Sequence, residues 1–202
     1  MQRLLLVRHG QSVWNADGRW QGQADPPLSQ LGEEQARAAL RRLGPIAVIC
    51  TSDLVRARRT AEIIGNARGI EPIVDARLRE RHVGLWQGRT RDEIEREWPD
   101  HLASGRRPPG FEDDGSVFAR ARDALTAISV PEPDEPDVLV VTHGGVVRTV
   151  ERALDVFADE LLPNLGGRWI FRDGTSLALG SRTLLLDEHD HRGVSVTRPE
   201  QL

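Results

Sequence analysis

Two histidines follow apolar runs at distant points of the chain, and glycine follows each of them. His9 comes after Arg8 and the run 4–7, and His143 comes after the run 138–142. An apolar run without polar interruption predicts a strand that is buried on both faces, as the central strands of a parallel sheet are. Ligands of open α/β sheets bind beyond the carboxyl ends of the strands, so both imidazoles are expected to face one ligand there.

Arginines are expected to complete an anion site around the two histidines. Arg8 precedes His9, and Arg56 falls in the first turn of a helix that follows another predicted strand. Guanidinium groups bind phosphate oxygens in bidentate fashion, and a helix N-terminus adds N–H donors. This set suits phosphoryl transfer without a metal or other cofactor, with His9 as nucleophile and His143 as a donor to the phosphoryl oxygens. Taken singly, each residue also has a structural interpretation.

Glu80 lies in a loop after the third predicted strand and is a candidate general acid for the leaving alkoxide. The same carboxylate would then act as base towards water. Its neighbours Arg79 and Arg81 are expected to point away from it, because cations beside the carboxyl would hold it in its charged form. Considered alone, Glu80 is also typical of a surface carboxylate.

The elements that must position these residues are strands alternating with helices, which predicts a three-layer α/β/α fold with a central, mostly parallel sheet. Residues 1–202 are expected to form a single domain. The predicted strands are 4–7, 46–51, 70–74 and 138–142, with tail strands at 169–171, 176–179 and 182–186. The predicted helices are 29–43, 52–69, 90–98, 116–128 and 146–154, and residues 10–25 are predicted to be a loop.

The composition of the chain indicates which binding partners and which cellular compartment to expect. The net charge is -4 and both signs are interspersed, so nucleic acid and acidic membranes are not expected as partners. No apolar run approaches the ~20 residues of a membrane-spanning helix, and the start of the chain has no signal-peptide pattern, so a cytoplasmic protein is expected. The single Cys50 lies in an apolar run and is predicted to be a core residue in a reducing compartment.

Five segments together resemble the histidine phosphatase superfamily, in its phosphoglycerate-mutase-like branch. In chain order they read LVRHGQS at 6–12, LSQLG at 28–32, TSDLVRA at 51–57, LRE at 78–80 with GLWQG at 84–88, and VTHGG at 141–145. The resemblance implies that His9 is the phosphorylated nucleophile, that Arg8, Arg56 and His143 form the phosphate pocket, and that Glu80 is the proton donor. It also implies no metal. Asn15 and Gln21, with the adjacent Gly22, match substrate-binding positions in the loop.

The resemblance leaves three functions to compare. The segment after Glu80 is shorter than in typical mutases of this branch, which favours an open pocket and a phosphatase acting on a small phosphorylated metabolite. Short members of this shape include sugar-acid phosphatases of the glucosyl-3-phosphoglycerate type. The alternatives are a phosphoglycerate-type mutase and a non-catalytic module that binds a phosphate ligand. One departure affects the substrate contacts, because many members carry Gly-Glu-Ser where this chain has Asp114, Gly115 and Ser116.

Several other residues have two interpretations. Trp20 and Trp86 fit either loops that determine specificity or anchors in the core. His189 and His191 could bind a metal, but a solvated tail is favoured. The strands of the tail could provide an edge for pairing, which makes a homodimer one expectation.

Overall fold

The computed structural model describes residues 1–129, 137–154 and 162–187, and its centre is a six-stranded sheet in the order β3-β2-β4-β1-β5-β6. The strands are β1 Gln2–Arg8, β2 Ile46–Thr51, β3 Ile73–Val74, β4 Asp137–Thr142, β5 Gly166–Asp173 and β6 Ser176–Leu184. Strands β1 to β4 pair in parallel, whereas β5 and β6 are antiparallel additions at one side. The predicted mostly parallel sheet is therefore confirmed.

Helices cover both faces of the sheet. They are α1 Val13–Ala16, α2 Gln30–Ala39, α3 Val55–Arg68, α4 Arg91–Glu97, α5 Asp114–Ala127 and α6 Gly144–Ala153. Because successive side chains of a strand point to opposite faces, Leu4 and Leu6 of β1 join the core formed with α5 and α6. Leu5 and Val7 join the core formed with α2 and α3. This arrangement confirms the predicted three layers.

The register of the two central strands brings the histidines together. Arg8, the last residue of β1, lies opposite Thr142, the last residue of β4. The backbone N–H of His9 then donates to the carbonyl of Thr142 at 3.0 Å. Because both chains leave the sheet at the same level, His9 and His143 occupy neighbouring positions at its carboxyl edge.

Three predicted helix starts differ from the structure. The helix predicted from Ser116 begins at Asp114, because Asp113 is the N-cap and its Oδ1 accepts the N–H of Ser116 at 2.9 Å. The helix predicted from 146 already begins at Gly144, which leaves His143 as its N-cap residue. The helix predicted from 52 begins at Val55, and Leu54 is its N-cap residue.

The predicted loop and strands also need correction. Residues 10–25 contain the short helix α1, whose start is fixed by a capping box between Ser12 and Asn15. The third strand is only Ile73–Val74, since the N–H of Ile70 is used to close the end of α3 through the carbonyl of Gly65 at 3.0 Å. In the tail, two long strands replace the three short predicted ones, because β6 runs without a break through Gly180.

Candidate functional site

His9 is held in one tautomer by its two hydrogen bonds. Its Nδ1 lies 2.6 Å from the carbonyl oxygen of Gly10, which can only accept, so Nδ1 carries the proton. Its Nε2 therefore has a free lone pair, and this nitrogen accepts the Nε–H of Arg56 at 3.2 Å. The network thus assigns a neutral imidazole with its lone pair on Nε2.

His143 lies beside His9, with 5.1 Å between ring centroids and 65° between ring planes. Its side chain is buried, and neither ring nitrogen has a hydrogen-bond partner among the described residues. Buried polar atoms are nearly always paired in proteins, so an imidazole without partners at a strand end indicates a site for a ligand. The ring is positioned to donate to a group bound at His9 Nε2.

Arg56 projects from the first turn of α3 and is completely buried. Besides its contact with His9, it donates from Nη1 to the carbonyl of Ala24 at 2.7 Å and from Nη2 to that of Gly22 at 2.8 Å. Burial, the largest cause, lowers the pKa of Arg56 to about 10, so the group stays cationic at neutral pH. The loop 10–25 therefore holds the guanidinium of Arg56 against the imidazole of His9.

Arg8 supplies a second cation from the end of β1. Its Nη1 donates to the carbonyl of Leu162 at 2.8 Å, which holds the side chain in place. Burial lowers the pKa of Arg8 from its ordinary value, while the charge of Glu80 opposes that shift. His9 is thus adjacent to two guanidinium groups.

Glu80 is fixed by two backbone donors. Its Oε1 accepts the N–H of Arg81 at 2.7 Å, and its Oε2 accepts the N–H of Gly145 at 3.0 Å. Gly145 must lack a side chain, because a Cβ there would lie 2.3 Å from Glu80 Oε1. The carboxyl is therefore tied to the same segment that carries His143.

The two arginines beside Glu80 point away from its carboxyl, as expected. Arg79 pairs with Asp53, with Nη2 and Oδ2 separated by 2.5 Å. The Nη2 atom of Arg81 lies 2.5 Å from Asp114 Oδ1 and also donates to the hydroxyl of Thr149 at 2.7 Å. Neither guanidinium forms an ion pair with Glu80 among the contacts of the described residues.

The three loop residues expected to bind substrate lie near the site but are engaged in its framework. The Oδ1 of Asn15 accepts the N–H of Ser12 at 3.2 Å, and the Oε1 of Gln21 accepts the hydroxyl of Ser12 at 2.7 Å. Gly22 presents its carbonyl to Arg56 from a left-handed backbone (φ of 51°), and a Cβ there would lie 2.7 Å from Val83. In the described hydrogen bonds, these three residues hold the loop in place.

Asn164 is a site residue that sequence reasoning missed. Its Nδ2 donates to the carbonyl of His9 at 2.9 Å, so it steadies the backbone of the proposed nucleophile. The residue precedes β5 and is 155 positions away along the chain. No periodicity or motif marks it, and only the antiparallel pairing of β5 with β1 brings it to the site.

The expectation of an open pocket is wrong for this structure. His143 and Arg56 are 0% exposed, and His9 is 2% exposed. The physical reason is that Arg56 contacts both the His9 lone pair and the carbonyls of loop 10–25, which closes the space beside the nucleophile. A group that binds at His9 Nε2 must therefore displace the hydrogen bond from Arg56.

Trp20 and Trp86 belong to the core, so their interpretation as specificity residues is wrong. They are 2% and 0% exposed and pack edge to face, with ring centroids 5.2 Å apart. Val83 and Ile94 complete this small cluster. The two tryptophans anchor the loops on either side of the site.

The histidines are predicted to make stability pH-dependent. Burial, followed by the charges of Arg56 and Arg8 for His9 and of Arg56 and His9 for His143, lowers the pKa of both imidazoles well below 6.5. The unfolded chain therefore binds protons that the folded chain excludes, so stability is complete above pH 6.5 and declines as pH falls towards the lowered values.

Urea unfolding between pH 7.5 and 5 measures this effect. The free energy of unfolding is expected to fall below pH 6.5, with a smaller slope in His143→Gln. His101→Gln, in a half-buried loop position, serves as the control and should keep the wild-type slope. Equal slopes in all three proteins would contradict the assignment.

Metal ligands and membrane helices are absent from the described part of the chain. No three His, Cys, Asp or Glu side chains cluster there as a metal ion requires, and His189 and His191 lie outside the described residues. None of the described helices is long and apolar enough to cross a membrane. Cys50 is a buried free cysteine, as predicted, and burial raises the pKa of its thiol to about 11.

Comparison with known sequences supports the chemistry suggested by this geometry. Residues 4–165 match the sequence model of the histidine phosphatase superfamily (branch 1). The chain is 39% identical over 181 residues to glucosyl-3-phosphoglycerate phosphatase of Mycobacterium tuberculosis, covering 82% of this chain and 81% of the relative. It is 44% identical over 154 residues to probable phosphoglycerate mutase GpmB of Serratia proteamaculans, covering 71% and 70%.

Solved structures show the same fold. Mycobacterial glucosyl-3-phosphoglycerate phosphatase in complex with VO3 superposes with a TM-score of 0.80 at 33% identity, covering 89% of this chain and 98% of that chain. YhfR of Bacillus stearothermophilus superposes with a TM-score of 0.77 at 34% identity, covering 89% and 95%. The similarity extends over most of each molecule.

Proposed function

Because the chain belongs to the histidine phosphatase superfamily (branch 1), we propose that it is a metal-independent phosphatase that hydrolyses small phosphomonoesters through a phosphohistidine at His9. One observation carries the proposal. His9 is neutral with its lone pair on Nε2, Arg56 donates to that atom, and the ring of His143 lies beside the ring of His9. A nucleophile and the donors for a phosphoryl group therefore share one small volume.

In the first half-reaction, the Nε2 lone pair attacks phosphorus while the ester P–O bond breaks. Arg56 turns its Nε–H from Nε2 to a phosphoryl oxygen, and Arg8 and His143 stabilise the other oxygens. The leaving alkoxide takes a proton from Glu80. Throughout, the Nδ1–H of His9 stays on the carbonyl of Gly10 and keeps the ring oriented.

In the second half-reaction, water attacks the phosphoryl group and the P–N bond breaks. Glu80, now a carboxylate, takes the proton of the attacking water, and His9 recovers its lone pair. Two backbone N–H groups hold both carboxyl oxygens in the orientation that this step needs. Phosphate and the alcohol are the products, and every side chain returns to its starting state.

The proposed substrate is a sugar-acid phosphate such as glucosyl-3-phosphoglycerate. The names of two relatives support this choice. Other relatives are named as probable phosphoglycerate mutases, so mutase activity is the alternative to test. A non-catalytic phosphate-binding module is the second alternative, and a complete set of chemical groups at the site argues against it.

We also propose that the enzyme is cytoplasmic. Its expected partners are small phosphorylated metabolites rather than nucleic acid or membranes. The buried free thiol of Cys50 and the mixed surface charge support that setting. A homodimer formed through the edge strand β6 is part of the same proposal.

The function is tested by measuring free phosphate released from a panel of phosphorylated sugars, sugar acids and nucleotides. We expect hydrolysis of several esters, highest kcat/KM for a sugar-acid phosphate, and less than a twofold change on adding EDTA. A coupled assay for phosphoglycerate isomers runs in parallel. Isomer conversion faster than phosphate release would establish the mutase, and anion binding without turnover of any ester would establish the binding module.

A further inference from the structure

A cavity of about 260 Å³ with an arginine-rich lining lies between the loop that carries Arg107 and the starts of α5 and α6. Four guanidinium groups line it, those of Arg81, Arg107, Arg148 and Arg152. Gly145 forms part of its wall, and the backbone N–H of this residue donates to Glu80 Oε2 at 3.0 Å. The cavity is therefore adjacent to the proposed proton donor.

Arg148, on the second turn of α6, has no partner for two of its donor atoms. Its Nε and Nη2 are buried and make no hydrogen bond with any residue that the structure describes. Burial, the largest cause, together with the charge of Arg152 lowers the pKa of Arg148 to about 10, so it remains a cation at neutral pH. Donor atoms of a cation that are buried without partners are costly to the free protein and indicate a missing anion.

Two carboxylates also line the cavity, and both are already paired with other groups. Asp114 pairs with Arg81 at 2.5 Å and with Arg152 at 3.3 Å. Asp113 caps α5 by accepting the N–H and the hydroxyl of Ser116. Neither carboxylate pairs with Arg148, and the charge of the cavity lining stays positive.

Arg107 enters the cavity from the loop before α5 without an acidic partner among the described residues. Its guanidinium carbon lies 5.1 Å from the ring centroid of Phe111 and 5.7 Å from that of Trp86. Stacking of this kind holds the planar group in place while its edge donors remain free. Arg107 and Arg148 therefore present two oriented, unpaired cations to the same space.

We propose that the arginine pocket, formed by Arg107 and Arg148, binds a carboxylate carried by the substrate's alcohol portion. This inference rests on the proposed function, since it takes the substrate's phosphoryl group to lie at His9. Glu80 must contact the ester oxygen, so the remainder of the substrate continues past Glu80 towards this pocket. A carboxylate fits a guanidinium in planar, bidentate geometry. The pocket thus selects phosphorylated acids over neutral phosphorylated alcohols.

The test compares kcat and KM for three esters: 3-phosphoglycerate, glycerol 3-phosphate, which lacks the carboxylate, and fructose 1,6-bisphosphate, which carries a second phosphate. Wild-type protein is expected to prefer 3-phosphoglycerate. Arg148→Met should reduce the preference for 3-phosphoglycerate over glycerol 3-phosphate roughly 10- to 100-fold, mainly through KM, since a hydrogen-bonded charge pair contributes that much to binding.

A matched control and a stability measurement separate binding from structure. Arg122→Met changes an exposed arginine of α5 and should leave the preference unchanged. Arg148→Met should not lower the midpoint of thermal unfolding, because it removes a cation without partners. Equal losses on 3-phosphoglycerate and glycerol 3-phosphate, or an unchanged preference, would overturn the inference. A loss confined to the bisphosphate would overturn the carboxylate assignment in favour of a second phosphate.

Failure of the proposed function is distinguishable from failure of the pocket. If the wild-type protein hydrolyses none of the three esters, calorimetric binding of 3-phosphoglycerate and glycerol 3-phosphate replaces the kinetic comparison. Tighter binding of 3-phosphoglycerate that is lost in Arg148→Met would support the pocket while the phosphatase proposal fails. Equal affinities in both proteins would overturn the pocket as well.

Discussion

Replacing His9 with alanine is expected to lower kcat/KM for an aryl phosphate such as p-nitrophenyl phosphate by about 10⁴-fold or more. The reason is that Nε2, which carries the lone pair of the ring, is the atom that forms the bond to phosphorus in the proposed mechanism. Arg56 and Arg8 would still bind the phosphoryl group, so the affinity for inorganic phosphate should change much less than turnover.

His101→Ala is the matched control for this variant. His101 is half-buried in a loop, and in the described hydrogen bonds its imidazole contacts only the carbonyl of Pro99. It should retain wild-type turnover. Thermal unfolding of both variants checks that each is folded. Turnover of folded His9→Ala within tenfold of wild type would mean that water or another residue attacks phosphorus.

Replacing Arg56 with methionine is expected to lower kcat by about 10³-fold, the order of effect of an arginine that stabilises a transferred phosphoryl group. Arg56→Lys should lose about 10²-fold, because an ammonium keeps the charge but cannot span His9 and the carbonyls of Gly22 and Ala24 at once. Both variants should also be less stable, by about 1–3 kcal/mol for each carbonyl left unpaired.

Arg58→Lys provides the control on the same helix. This arginine is half exposed and pairs with Glu62, so its replacement should change neither kcat nor stability appreciably. Steady-state kinetics and urea unfolding of all three variants separate the catalytic from the structural contribution. An Arg56→Lys protein with full kcat would show that the guanidinium holds the loop without contacting the transferred group.

The sequence was sufficient to predict the centre of the site. The apolar runs of β1 and β4 are long and uninterrupted, and His9 and His143 follow them directly, so only the parallel adjacency of these two strands was needed to bring the imidazoles together. The position of Arg56 at the start of α3 follows from the same pattern. Each of these residues follows shortly after a strand along the chain, so its position could be predicted once the strands were recognised.

Other features depend on contacts between segments that sequence patterns do not reveal. Arg56 closes the site by donating to carbonyls of the loop 10–25. The sequence indicates only that this loop is polar, and not where its carbonyl groups point. Asn164 reaches His9 because β5 pairs with β1 in antiparallel register. The lack of partners around Arg148 becomes visible only once α5, α6 and the loop carrying Arg107 are assembled around one cavity. Side-chain pairing of this kind is a tertiary property.

Trapping of the phosphorylated protein tests the central claim most directly. A substrate labelled with ³²P is mixed with the enzyme and quenched in alkali within milliseconds, and the peptides are sequenced by mass spectrometry. The account predicts one phosphoryl group per chain on His9, stable in alkali and labile in acid, that forms and decays at rates consistent with kcat. Turnover without any labelled protein at these times, or label on a residue other than His9, would contradict it.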